Sequence, residues 1–260
     1  MLDIKGLGKR FPAREGREPP PWIIQDMSFE VAAGELLTMI GPSGAGKSTL
    51  LNIIAQIEVA SGGEIVFDGA PVVSPDQKAL HPGLGRRIGY VTQDDNLLPW
   101  RTTIDNVLFP LEVQGAIDGA ARARAQELIE AVGLAGFERY YPHELSGGMR
   151  KRAGLIRTLV YDPPMILMDE PFAAVDAQTR SQLQEDLLRL WSLKRKTILF
   201  VTHDITEAIA LGDRALVLSR RPARIAAECA IPIPRPRNVK DIFTLDGFAA
   251  IYERIRREVQ

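Results

Sequence analysis

Cysteine occurs once in these 260 residues, at Cys229, so no disulfide can close within the chain. That usage fits a reducing compartment. Histidine occurs three times, which leaves few candidates for imidazole chemistry. The longest apolar runs, such as Ile198 to Val201, fall far short of the ~20 residues a membrane-spanning helix needs. The opening MLDIKGLGKRF has no apolar stretch of signal-peptide length. An excess of one charge is also missing. With 32 basic and 33 acidic residues the net charge is −1, so no global field favours nucleic acid or an anionic membrane. No heptad pattern lasts three or four repeats, and no repeat of 20 to 50 residues is present. A soluble chain is expected, with any membrane role exerted through a partner.

What is present is a globular composition, 45% hydrophobic and 25% charged, enough for one large domain or a domain with a smaller lobe. Short apolar, β-rich runs alternate with helical patterns. Glu35 to Ile40, Met165 to Met168, Thr197 to Val201 and Arg214 to Leu218 read as buried strands. Lys47 to Gln56, Thr179 to Ser192 and Thr206 to Leu211 read as helices. That alternation predicts an α/β fold whose parallel sheet is covered by helices. From Asp94 to about Tyr161 strands vanish and helical patterning dominates, including Ala120 to Val132 and a helix opened by Ser146. The proline-rich stretch PAREGREPPP (Pro12 to Pro21) separates two expected strands of an antiparallel edge. After PIPRPRN, the residues Phe248, Ile251, Tyr252, Ile255 and Val259 share one helical face, read as packing on the core. Basic clusters at Arg150 to Arg152 and at Arg235, Arg237 and Lys240 read as solvated faces first and docking patches second.

The sharpest chemical signal is GPSGAGKST, Gly41 to Thr49. It fits G-x-x-x-x-G-K-[ST] and lies between an expected strand and an expected helix, the context that motif demands. Glycines let successive N–H groups turn inward on phosphate oxygens. Pro42, Ser43, Gly44, Ala45 and Gly46 supply that backbone, Lys47 a point charge, and Ser48 a hydroxyl for Mg²⁺. MILMDEP then brings Asp169 and Glu170 to a strand's C-terminal end, where α/β sheets place ligands. Asp169 suits Mg²⁺ through water, and Glu170 suits a general base that polarises attacking water. YVTQDD ends another strand at Gln93, whose side chain can reach Mg²⁺ or water. FVTHD does the same with His203, for which a surface histidine is the bland alternative. His81 and His143 read as structural.

In chain order stand the phosphate loop, Gln93, LSGGM, MDEP, AAVDA and His203. That order and spacing resemble the ATP-binding-cassette (ABC) ATPases over about the first 220 residues. The resemblance implies a P-loop NTPase (RecA-like) core with an antiparallel β edge and an inserted helical subdomain. The core would be residues 1–93 and 162–220, the helical subdomain 94–161, and 221–260 a C-terminal extension. It also implies that Ser146, Gly147 and Gly148 cap the γ-phosphate of ATP held by a second copy. Asp176 would sit in the loop that crosses that dimer, and Phe11 would stack on adenine. Position 149 is Met where the family commonly has Gln, and AAV precedes Asp176 where SAL is commoner.

The work coupled to hydrolysis is suggested by DDNLLPWRTTIDNV, Asp94 to Val107. It resembles the nitrate/sulfonate/taurine branch of bacterial importers, whose ATPase subunits carry a similar LLPW. Leu97, Leu98 and Trp100 would form an apolar prominence for a membrane permease, the alternative being a staple for the lobe's own core. RPARI and PRPR also look like that branch. The resemblance implies an ATP- and Mg²⁺-dependent homodimer, peripheral on the cytoplasmic face of the inner membrane. It would drive permease subunits fed by a solute-binding protein, with no nucleic acid as partner. LSGGMRKR also resembles the ATPases of phospholipid-trafficking systems, and a soluble regulatory or mechanical ATPase is the third reading.

Overall fold

The structure is a computed structural model and describes residues 1–12, 18–74 and 83–259. His81 and part of the Pro12 to Pro21 stretch lie outside the described residues. The chain opens with β1 (Leu2–Lys9), β2 (Ile24–Val31), β3 (Leu36–Ile40), α1 (Lys47–Ile54), β4 (Gly62–Phe67) and β5 (Ala70–Val73). It continues with β6 (Ile88–Val91), α2 (Thr103–Val113), α3 (Gly119–Ala131), α4 (Gly147–Leu159), β7 (Met165–Asp169) and α5 (Ala177–Lys194). It ends with β8 (Thr197–Thr202), α6 (Ile205–Leu211), β9 (Arg214–Leu218), β10 (Ile225–Ala230) and α7 (Phe248–Val259). These elements form two compact units, Met1–Gly85 with Lys196–Gln260, and Arg86–Arg195.

In the first unit β2, β1, β4 and β5 make an antiparallel sheet in that order. β2 alternates buried and solvated positions, as a strand with one wet face should. β3 is buried at all five residues. It pairs in parallel with β8 on one side and β9 on the other, and β10 adds an antiparallel edge to β9. The rims are held by ions. Arg214 pairs with Glu35 at 2.5 Å and with Glu228 at 2.7 Å.

The C-terminal extension belongs to this unit. α7 packs against α6, β9 and β10, and Phe248 and Ile255 are buried on its apolar face, as the spacing predicted. Of the basic cluster read first as a solvated face, Lys240 is exposed, whereas Arg235 is half-buried and Arg237 buried. The Arg237 guanidinium is buried and donates to the carbonyls of Ile209 (2.8 Å), Gly212 (2.6 Å), Ile231 (3.1 Å) and Ile233 (2.8 Å). Burial pushes its pKa down to about 10. Arg235 pairs with Asp213 at 2.9 Å. Carbonyls at the end of α6, which the helix leaves without partners, are thereby satisfied from the extension.

The second unit holds the parallel pair β6–β7 and the helices α2 to α5. The expected helical lobe, 94–161, lies within it. Leu97, Val107, Leu108, Leu111, Ala125, Ile129, Ala153, Ile156 and Val160 form its helical core. Each helix start carries the cap that its sequence allows. Thr102 opens α2, Asp118 α3, Ser146 α4 and Asp176 α5, each accepting the backbone N–H of the residue three positions on. Such caps stabilise a helix by about 1 kcal/mol. Among the described residues no helix is long and apolar enough to cross a membrane.

Candidate functional site

In the first unit the loop after β3 turns into α1 through Gly46, which adopts φ +104° and offers no side-chain cap. Only glycine fits there. A Cβ would lie 2.8 Å from Ile23 Cγ2, and the left-handed backbone is costly for other residues. Gly46 therefore gives the first turn of α1 no side-chain cap, and a helix start of this kind is suited to phosphate. Lys47 is 5% exposed and its Nζ donates to the Gly41 carbonyl at 2.8 Å and the Pro42 carbonyl at 3.2 Å. Ser43, Gly44 and Ser48 are exposed, Pro42 and Thr49 half-buried, Ala45 buried. Arg221 Nε donates to the Gly44 carbonyl, and Arg220 and Arg221 line the open face of Pro42 to Ala45. Phe11 is 40% exposed with Lys9 Nζ 4.7 Å above its ring.

His203 is exposed at the end of β8, and the residues around it are tied down. The Thr202 hydroxyl donates to the buried Glu207 carboxylate and accepts from the Asp204 N–H at 3.0 Å. Asp204 in turn caps α6, accepting from Thr206 and Glu207 at 2.8 and 3.2 Å.

In the second unit Asp169 ends β7 half-buried, and Glu170 follows with φ +46°. A left-handed backbone at a glutamate is uncommon and is a form of strain that gathers at working sites. The Ala173 N–H closes the turn on the Glu170 carbonyl at 3.1 Å. Tyr90 lies within electrostatic reach of Asp169. Burial first, and that carboxylate second, hold its phenol well above its usual pKa, so it stays neutral. Gln93 is exposed at its side chain, while its carbonyl accepts from Lys151. Ser146 and Gly147 are exposed, Gly148 half-buried, and the Ser146 hydroxyl accepts from the Met149 N–H at 3.3 Å. Asp176 accepts from the Thr179 N–H (2.9 Å) and hydroxyl (2.6 Å). Those bonds hold its carboxyl below the usual range. His143 stacks on Tyr141 with ring centroids 5.9 Å apart.

The LLPW stretch divides its residues. Leu97 is buried in the helical core, which is the staple reading, and Leu98 is half-buried. Trp100 is 71% exposed.

The sequence profile of the ABC transporter family matches residues 24–173. Curated relatives cover nearly the whole chain. An uncharacterized ABC transporter ATP-binding protein of Methanocaldococcus jannaschii is 43% identical over 258 residues, 99% of this chain and 92% of its own. An aliphatic sulfonates import ATP-binding protein of Bacillus cereus is 41% identical over 91% of this chain and 89% of its own. A taurine import ATP-binding protein of Yersinia pestis is 40% identical over 89% and 84%. This chain belongs to the ABC transporter family. The ABC ATPase shares its α/β P-loop fold with the ATP-binding cassette MJ0796. The dimeric, post-hydrolysis structure of that cassette, bound to ADP and Pi, matches with TM-score 0.75 and 32% identity over 89% of this chain and 99% of that one. The chain is thus an ATP-binding, ATP-hydrolysing subunit of that family.

Several residues that the motifs do not name shape this ATPase. Asn106, fully buried on α2, accepts the Leu98 N–H at 2.7 Å and donates to the carbonyls of Leu98, Arg101 and Thr102 at 3.0–3.1 Å. It holds the segment that displays Trp100. Glu207 pins the β8–α6 turn. Arg150 and Arg152, read first as a solvated face, pair instead with Asp95 at 3.3 Å and Asp186 at 3.0 Å.

Proposed function

We propose that this chain is the ATPase subunit of an ABC importer that homodimerises around two MgATP. The dimer drives uptake of a small anionic solute, of the nitrate, sulfonate or taurine kind, through separate permease subunits supplied by a solute-binding protein. It works peripherally at the cytoplasmic face of the inner membrane. The observation that carries the transport reading is Trp100, a large aromatic side chain held out to solvent by a buried asparagine. Aromatic side chains, tryptophan above all, are enriched at the anchors of protein interfaces. The names of the sulfonate and taurine import relatives point the same way.

Within that reading, the phosphate loop Gly41 to Thr49 takes the β- and γ-phosphates on its backbone N–H groups, with Lys47 turning from the loop carbonyls to the phosphate oxygens. Phe11 offers one ring face to adenine. Among the described residues no cluster of three His, Cys, Asp or Glu side chains could hold a metal alone. The oxygen donors of Ser48, Asp169 and Gln93 are of the type that a hard cation keeping water and leaning on substrate phosphates would take. Magnesium there would neutralise charge developing on the phosphate oxygens. Glu170 accepts the proton of the attacking water, and His203 orients the γ-phosphate. Ser146, Gly147 and Gly148 of one copy close over the nucleotide held by the other, beside Asp176.

The test uses tagged Glu170→Gln with ATP as bait in solubilised native membranes, read by mass spectrometry. Recovery of a polytopic membrane protein that is lost with Trp100→Asp supports the importer. Recovery of a bound phospholipid in the complex favours lipid traffic. Recovery of the dimer alone sinks the transport reading.

A further inference from the structure

Strand β1 ends at Lys9, two residues before Phe11, and the backbone there is fastened from both sides. The Ile23 N–H donates to the Lys9 carbonyl at 2.9 Å, and the Ser61 N–H to the Gly8 carbonyl at 2.8 Å. The Arg10 N–H donates to the Ser61 hydroxyl at 3.0 Å, and that hydroxyl donates to the Arg10 carbonyl at 2.9 Å. The root of Phe11 is therefore fixed. A lysine ordinarily keeps its ammonium in water, but Lys9 is buried. Its Nζ donates to the Glu58 carboxylate at 2.7 Å and to the Val59 carbonyl at 2.6 Å, which offsets the cost of burying the charge. The same Nζ stands over the Phe11 ring, 4.7 Å from its centroid. Glu58 belongs to the segment that closes the end of α1, where the N–H groups of Ile57 and Glu58 both donate to the Asn52 carbonyl, at 2.8 and 3.1 Å. One ammonium thus ties the Phe11 ring to the helix that opens at the phosphate loop.

We propose that Lys9 is a positioning residue for the base of the nucleotide, holding the Phe11 ring in place and making its far face more receptive to a purine. That role rests on the reading in which Phe11 offers its ring to adenine. Lys9 touches the ring and not the nucleotide. Two stacked π faces repel, because each carries the negative side of a quadrupole. A cation on one face of a ring draws on that negative charge, so the opposite face meets a base with less repulsion. The ion pair with Glu58 keeps the cation at its post, and the segment after α1 sets the ring at a fixed reach from the phosphate loop.

The test compares ATP with inorganic tripolyphosphate, which has the phosphates and no base, by calorimetry and steady-state hydrolysis on the full chain. Lys9→Met keeps an unbranched side chain and removes the cation. It is expected to weaken ATP binding and raise the KM for ATP about fivefold, with kcat and tripolyphosphate binding within about twofold of the parent. Lys9→Arg still offers a cation to Glu58 and to the ring, and restores the parent values. Glu58→Gln leaves the ammonium two oxygen acceptors and should bind ATP within about twofold of the parent. In a Phe11→Leu background, itself about tenfold weaker for ATP, Lys9→Met is expected to have no further effect. Equal losses in both backgrounds would mean that Lys9 acts without the ring, and overturn its role. Tripolyphosphate binding that falls in step with ATP binding would overturn it too, since Lys9 would then only hold α1. So would a fivefold loss in Glu58→Gln, or parental ATP binding by Lys9→Met. Parental ATP binding by Phe11→Leu sinks the adenine reading itself, a failure seen on a different variant.

Discussion

Helices α1 and α4 both open on glycine-bearing turns, yet they are finished differently. α1 starts at Gly46 in a left-handed conformation with no side-chain cap, and Lys47 lies buried over the loop carbonyls. α4 starts at Ser146, whose hydroxyl caps its own first turn, and Ser146 and Gly147 stand exposed. The first helix has no side-chain cap from Gly46 and carries a buried cation beside its start, the combination that in the proposed reading holds a polyanion. The second is stable by itself and shows only a shallow turn. In the proposed dimer the first would be a cradle and the second a surface that meets charge brought by the other copy, which would account for a second glycine-bearing turn about a hundred residues after the first.

The contrast can be broken or sharpened by experiment. Glu170→Gln should lower steady-state ATP hydrolysis at least about a hundredfold while nucleotide binding persists, because a general base is worth that much. Hydrolysis at the parent rate would remove Glu170 from the chemistry. Lys47→Met should weaken nucleotide binding by the monomer about a hundredfold in calorimetry, whereas Gly147→Ala should leave it within about twofold and abolish ATP-driven dimerisation. Similar losses in both would erase the distinction between cradle and surface. For stability, Gly46→Ala should cost about 1–3 kcal/mol by urea unfolding, from the strained backbone. Gly147→Ala should stay within about 0.5 kcal/mol, since only the far end of Arg150 stands 4.0 Å from the added Cβ.

The smallest effect is at Asp176. The Thr179 hydrogen bonds hold its folded pKa below the ordinary aspartate value of 3.8, so the unfolded chain takes up the proton first on acidification. Its contribution is full above that value and is lost as pH falls through the lower folded one. The difference in urea midpoint between the parent and Asp176→Ala should therefore be largest near neutrality and shrink below pH ~3.8. A difference that grows on acidification would contradict that cap.

Legibility followed local pattern. The phosphate loop was plain because a fixed spacing sat between a strand and a helix, and β3, β7, β8 and β9 because all are apolar runs buried on both faces. β4, β5 and β10 went unread. β4 begins with two glycines, Pro71 interrupts the four residues of β5, and β10 is alanine-rich, all poor strand signals. The buried Leu97 and exposed Trp100 could not be separated by hydropathy, since two apolar residues three apart look alike until Asn106 decides which faces in. The cations of α4 looked solvated because their acceptors are distant in sequence, the carboxylates of Asp95 and Asp186 and the carbonyls of Gln93 and Leu145, which no local pattern announces.

Asn106 has a further consequence. Its hydrogen bonds go to main-chain atoms of Leu98, Arg101 and Thr102, so what it fixes is a path of backbone and not the identity of the side chains along it. Positions 98 to 100 can therefore change residue without loosening that mount, whereas Arg101 also ties the segment to Glu112 through its side chain. Removing the mount, as in Asn106→Ala, should cost about 1–3 kcal/mol in orphaned carbonyls and blur every variant of the display at once. The fold separates the bracket from the sign it carries, and a lineage can repaint the sign for a new partner while the bracket stays.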